Sequence, residues 1–177
     1  APEGQEQAAG ALKAVVFGVE HQRAVLEAGA LPPLIAAMGR GVPNVQEQAT
    51  GAIAYLVTSK EEHRQAVVAA AAVPELLALL SSGALGVREQ AAAALRYLVL
   101  DSDEHERQLV EAGAMSALVE LLWFGTPKGQ EYAATTIRNM VIKNNPETER
   151  DVMRAGAAPA LISLLGTEHR EVRRQVV

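Results

Sequence analysis

Apolar residues in this chain recur with a helical rather than a strand-like spacing. Leu76, Leu77, Leu79 and Leu80 share one helical stretch, and Leu118, Val119, Leu121 and Leu122 repeat it 42 residues later. A longer amphipathic stretch follows each copy. Ala49, Ala52, Ile53 and Leu56 mark one buried face, and Ala91, Ala94, Leu95 and Leu98 mark the next. The pattern predicts three helices in each complete unit. The first covers residues 20–27, 61–70, 103–111 and 147–154, with Ala24 and Val25 pointing inward in the first copy. The second begins near Pro32, Pro74 and Pro159, where an early helical position has no use for the missing N–H. The third and longest covers residues 45–58, 87–100 and 130–142.

Punctuation supports these divisions. Ser59, Ser102 and Asn145 offer cap oxygens before the first helices, and Pro146 suits a first turn. Gly29, Gly113 and Gly156 are expected to end first helices in the left-handed region, which is cheap for glycine. Ala71 holds that place in one unit, so a differently shaped corner is expected there. The most apolar stretch, around residues 66–80, is interrupted by Pro74 and Glu75 and reads as a buried corner between two helices, too short to span a bilayer.

The helices belong to an internal repeat. Gly29-Ala30-Leu31-Pro32-Pro33-Leu34-Ile35 aligns with copies starting at Ala71, Gly113 and Gly156, in steps of 42, 42 and 43 residues. Val45-Gln46-Glu47-Gln48-Ala49 keeps the same register with Val87-Arg88-Glu89-Gln90-Ala91, Gly129-Gln130-Glu131-Tyr132-Ala133 and Val172-Arg173-Arg174-Gln175-Val176. An earlier copy, Gly4-Gln5-Glu6-Gln7-Ala8, lies 41 residues upstream of the first. Such a period indicates stacked units that share one continuous core and expose a long surface. The expected divisions are a partial unit over 1–18, full units near 19–59, 60–101 and 102–144, and a partial unit over 145–177. Residues 5–16 and 169–177 read as third helices without capping units, which suggests an excerpt from a longer protein or ends covered by other elements or another copy.

Composition narrows the function. The chain is 49% hydrophobic but only 3% aromatic, favouring closely packed helices. Sixteen Lys and Arg against 21 Asp and Glu give a formal charge of −5, which disfavours a nucleic-acid partner. The absence of cysteine removes disulfides, thiol nucleophiles and cysteine-based metal sites, and fits a reducing compartment.

Gly-Ala-x-Pro-x-Leu followed by Gln-x-x-Ala-x-x-x-Leu resembles the armadillo-repeat family, most clearly over residues 27–56, 68–98 and 111–140. The resemblance implies an all-α, right-handed alpha-alpha superhelix whose third helices line a concave, peptide-binding groove. It also implies localisation in the cytoplasm, the nucleus or both. Importin-alpha-like and beta-catenin-like members carry a groove asparagine row, which falls here at Ala14, Tyr55, Tyr97 and Asn139. The importin-type tryptophan row falls at Gly10, Gly51, Ala93 and Thr135. Asn139 alone matches, which argues against binding of nuclear-localisation signals.

The third helices offer other ladders: Glu6, Glu47, Glu89 and Glu131; Lys13, Ala54, Arg96 and Arg138; and Tyr55, Tyr97 and Asn139. Packed helices put successive members about 10 Å apart. Tyrosines would supply flat contact area while the Glu and Arg rows select charge. Alternatively, each glutamate serves the dipole of its own helix and the arginines solvate the surface. His21, His63 and His105 fall in successive units, too far apart to share a metal; they suit a structural role at helix starts, with a pH-sensitive contact as the alternative. Trp123 and Phe124 form either a satellite core or a secondary docking patch.

No phosphate loop, His-Glu-x-x-His motif or serine elbow is present in the sequence. The expectation is therefore a non-enzymatic module without cofactor, metal, small-molecule substrate or membrane insertion. It binds a protein or peptide through Glu47, Tyr55, Glu89, Arg96, Tyr97, Glu131, Thr135, Arg138 and Asn139. The alternative is a structural scaffold that self-associates through its repeat ends.

Overall fold

A computed structural model describes residues 2–100 and 102–166. Among these residues every regular element is α-helical. α1 (Pro2–Phe17) is a third-type helix that opens the stack. Three complete sets follow: α2 (Val19–Glu27), α3 (Leu31–Arg40) and α4 (Pro43–Ser59); α5 (Glu61–Ala69), α6 (Ala72–Ser82) and α7 (Leu85–Leu98); α8 (Asp103–Glu111), α9 (Ala114–Phe124) and α10 (Pro127–Val141). A first and a second helix, α11 (Pro146–Arg154) and α12 (Ala157–Leu165), complete the described chain. The third helix expected over residues 169–177 lies outside the described residues.

The helices form two stacked layers. Third helices pack in series, α1 on α4, α4 on α7 and α7 on α10, while second helices do the same through α3, α6, α9 and α12. Within each unit the second helix packs on the third, closing one core along the stack. Met38, Ile53, Leu56, Leu76, Leu80, Leu95, Leu98, Leu118 and Leu121 are fully buried in it. A Leu-to-Ala change at such sites costs about 2–5 kcal/mol, so the core dominates stability. Ala49, Ala52, Ala91 and Ala94 are buried at the helix contacts, where small side chains permit close approach.

Several local expectations change in the structure. The third helices begin earlier than expected, at Pro43, Leu85 and Pro127, because extended residues Val42, Ala84 and Thr126 occupy the N-cap positions. Ser102 and Asn145 cap α8 and α11, accepting from the His105 and Glu147 amides at 3.3 and 3.0 Å. Ser59 does not cap α5. It is the last residue of α4 and donates instead to Gln22 Oε1. Ala24 is exposed, and the inward positions of α2 are Gln22 and Val25.

Gly29, Gly113 and Gly156 have φ of 78°, 66° and 76°. Ala71 adopts the same left-handed corner at φ 59°, so the repeat imposes its backbone on a residue that resists it. The expected apolar corner is present too: the axes of α5 and α6 meet at 85°. Among the described residues no single helix is long and apolar enough to cross a membrane.

Candidate functional site

All nine residues expected at the groove lie on α4, α7 and α10. Their environments divide them sharply. At the centre, the Arg96 guanidinium lies between two aromatic rings, with Cζ 4.5 Å from the Tyr97 centroid and 4.6 Å from that of Tyr132. Arg96 Nη2 also donates to Tyr97 Oη at 3.1 Å. Stacking of this kind favours arginine because its planar cation meets the negative ring face. Lys128 Nζ stands 5.4 Å from the Tyr132 centroid and donates to Glu131 at 2.8 Å. That contact holds the Lys128 pKa above and the Glu131 pKa below their ordinary values. Farther along the stack, Tyr55 meets Phe17 edge to face, with centroids 5.3 Å apart and planes at 81°.

Three members of the glutamate ladder face the next helix, while Glu131 stays with Lys128 on its own. Glu89 is only 9% exposed and accepts the Thr126 backbone N–H at 3.0 Å, at the N-terminus of α10. The Glu47 carboxylate lies over Gly86 in the first turn of α7, where an added Cβ would collide with it. Glu6 accepts from Asn44 Nδ2, in the first turn of α4, at 3.3 Å. Because α4 and α7 begin two residues earlier than expected, Glu47 and Glu89 lie beyond the first turn of their own helices. Each carboxylate instead meets the positive end of the following helix.

Asn139 is likewise turned inward. It is 5% exposed, its Nδ2 donates to the Arg96 carbonyl at 2.8 Å, and its Oδ1 accepts from Arg138 Nη2 at 3.4 Å. An amide so engaged stitches α10 to α7 rather than offering a free donor and acceptor. Thr135 is half-buried and Arg138 is exposed beside it on α10. Tyr55, Arg96 and Tyr97 are half-buried, each with its aromatic or cationic head on the third-helix layer.

A second polar row seals the seams between units. His63 is 4% exposed, and its Nδ1 lies 3.1 Å from both Gln22 Oε1 and Ser59 Oγ. Gln22 in turn donates to the Val16 carbonyl at 2.7 Å. Burial pushes the His63 pKa below the usual imidazole value, assisted by Lys60 and opposed by Glu62. His105 bonds the Leu98 carbonyl at 3.1 Å through Nδ1, and Thr148 in the same register donates to Glu106 Oε1. His21 is exposed beside Glu20. Among the described residues no group of three or more His, Cys, Asp or Glu is placed to hold a metal ion.

The armadillo/beta-catenin-like repeat model matches residues 18–58, 60–100 and 102–142. The chain belongs to the armadillo-repeat family. Solved armadillo-like structures agree with this. One engineered protein is 32% identical, with a TM-score of 0.78 over 92% of this chain and 67% of its own. A designed armadillo repeat protein in complex with the peptide (KR)4 is 30% identical, with a TM-score of 0.77 over 96% of this chain and 71% of its own. A computationally designed armadillo protein for modular peptide recognition is 30% identical, with a TM-score of 0.78 over 90% and 67%. No curated protein sequence matches. As an armadillo solenoid the chain is a non-catalytic scaffold of the type that binds proteins and peptides.

Within this armadillo layer, Phe17 and Tyr132 extend the aromatic surface beyond the residues anticipated from sequence. Tyr132 could have been noticed as the one aromatic in the Gln-Glu-Gln-Ala register. Phe17 had no such signal, since its contact depends on how α1 packs against α4. At the end of α9, Phe124 is 77% exposed, whereas Trp123 is 38% exposed and mostly covered.

Proposed function

We propose that this armadillo solenoid captures an extended or helical segment of another protein along the concave groove lined by its third helices. The observation that carries this reading is the aromatic and cationic surface running from Phe17 and Tyr55 to Tyr97, Arg96 and Tyr132. Its groups are held by stacking before any partner arrives, which reduces the ordering cost of association. Rigid tyrosines with an arginine between them are the side chains that most often dominate protein interfaces. Glu131, Thr135 and Arg138 flank this centre. Glu89 and Asn139 support it through their bonds between helices, and Glu47 through its packing over Gly86. The designed relatives share the fold and, in one case, hold a peptide; the class of ligand is what we carry over from them. The family resemblance supports a cytoplasmic or nuclear setting for such work.

The test is selection from a random-peptide display library. Wild-type protein should enrich peptides that a folded Tyr55→Ala, Arg96→Ala, Tyr97→Ala variant fails to retain. Equal retention by the variant would refute this groove assignment.

One observation favours a second reading. An apolar cleft between α1, α3 and α4 is lined by Ala9, Leu12, Leu34, Ala37 and Val45. Two copies joined there would make the chain a self-associating scaffold. Sedimentation that depends on concentration, and is abolished by Leu12→Asp, would support this; a monomer at every concentration would eliminate it.

A further inference from the structure

The sequence places acidic and basic ladders on the same helices, leaving the sign of charge presented to a partner undecided. The structure separates the two rows. Glu6, Glu47 and Glu89 turn along the stack toward the next third helix, where a side-chain amide, a glycine-lined first turn and a backbone N–H receive them. Of the cationic row, Lys13 likewise turns along the stack, onto Gly51 of α4, but Arg96 and Arg138 have no such destination. Among the described residues no carboxylate pairs with Lys13, Arg96 or Arg138, nor with the scattered Arg40, Lys60, Arg150 and Arg154, whereas Arg23, Arg88, Arg107, Lys128 and Lys143 each find one. Arg96 has an Nε that is buried with no acceptor, and a single hydrogen bond, to Tyr97. The Arg138 side chain makes one long bond to Asn139. Glu131 feels the Arg96 charge but is held by Lys128 at 2.8 Å.

The geometry points to an extended, acidic polypeptide segment as the occupant, its carboxylates meeting Arg96 and Arg138. This deepens the groove reading above and rests on it. Arg96 is held by two rings and by the Tyr97 hydroxyl before an anion arrives, and Arg138 stands in the same register on the adjacent helix. Packed helices put these two positions about 10 Å apart, which an extended chain crosses in roughly three residues. The segment should therefore carry acidic residues two to four positions apart, with an aromatic or apolar residue nearby to rest on Tyr97 or Tyr55. The overall charge of −5 disfavours acidic chains on the rest of the surface, which concentrates any acidic binding at this cationic row.

The experiment reads the composition of peptides retained by wild type and by an Arg96→Glu, Arg138→Glu variant from one random-peptide display library. The variant's fold is checked by circular dichroism. Wild type should enrich Asp and Glu at the stated spacing, and the variant should lose that enrichment or exchange it for Lys and Arg. Should the double variant fail to fold, exposed Arg138→Glu alone should weaken binding of a selected acidic peptide about tenfold or more. Groove-dependent enrichment of neutral or basic peptides would overturn the acidic assignment while leaving the groove intact. Retention unaffected by the Tyr55, Arg96 and Tyr97 substitutions would overturn both.

Discussion

Replacing Ala71 by glycine should stabilise the protein, although it removes a side-chain atom. Ala71 sits at φ 59° and ψ 37°, in the corner that Gly29, Gly113 and Gly156 occupy in the other units. A residue with a Cβ in the left-handed region is strained by about 1–2 kcal/mol. Glycine removes that strain but loosens the unfolded chain, at about 0.4–1 kcal/mol. Ala71 is exposed, so no cavity is created. The net is a gain of up to about 1.6 kcal/mol, centred near 0.8, and roughly 2–4 °C of Tm accompanies each kcal/mol for a chain of this length. Urea titration followed by circular dichroism measures it, with an unchanged m-value expected because the same surface unfolds. Destabilisation by Ala71→Gly, or a stabilising Gly113→Ala, would refute the reasoning that the repeat imposes one backbone geometry on every corner.

Other consequences follow from the polar contacts between units. Glu89→Gln keeps the size of the side chain but removes the charge beside the α10 N-terminus, and should cost about 1 kcal/mol. Urea titration reads the loss, and faster amide exchange at Thr126 would localise it. His63 gives a pH dependence of definite sign. Its folded pKa lies below the unfolded value of about 6.5, so its contribution is complete above that pH and fades as pH falls toward the folded pKa. Wild type should therefore lose more stability than His63→Asn between about pH 7.5 and pH 5; equal losses would show that the buried imidazole is not the responsive group.

The repeat made the fold readable. Glycine and proline in fixed register, with Leu95- and Leu118-type positions at helical spacing, are local signals that survive without knowledge of the packing. Ala71 shows where the local signal misleads: its propensity argues for a different corner, yet neighbouring units hold it in the common one. The site was less readable because it depends on directions between helices. Glu89 and Arg96 stand seven residues apart on α7, and nothing in that spacing says that one turns toward α10's N-terminus while the other lies between Tyr97 and Tyr132. Asn139 matched the family's asparagine row by position, but its amide bonds the Arg96 carbonyl. Tyr132 stood in plain register; only the packing of α10 on α7 made it part of the cationic centre.

On the proposed reading the third-helix layer receives the partner. A photo-reactive benzophenone side chain placed at Tyr97, and separately at exposed Ser116 on the second-helix layer, tests it most directly. With a peptide recovered by selection, crosslinking should occur from position 97, be competed by excess unlabelled peptide, and be absent from position 116. Crosslinks from 116 with none from 97 would contradict the account and move the binding surface to the opposite layer.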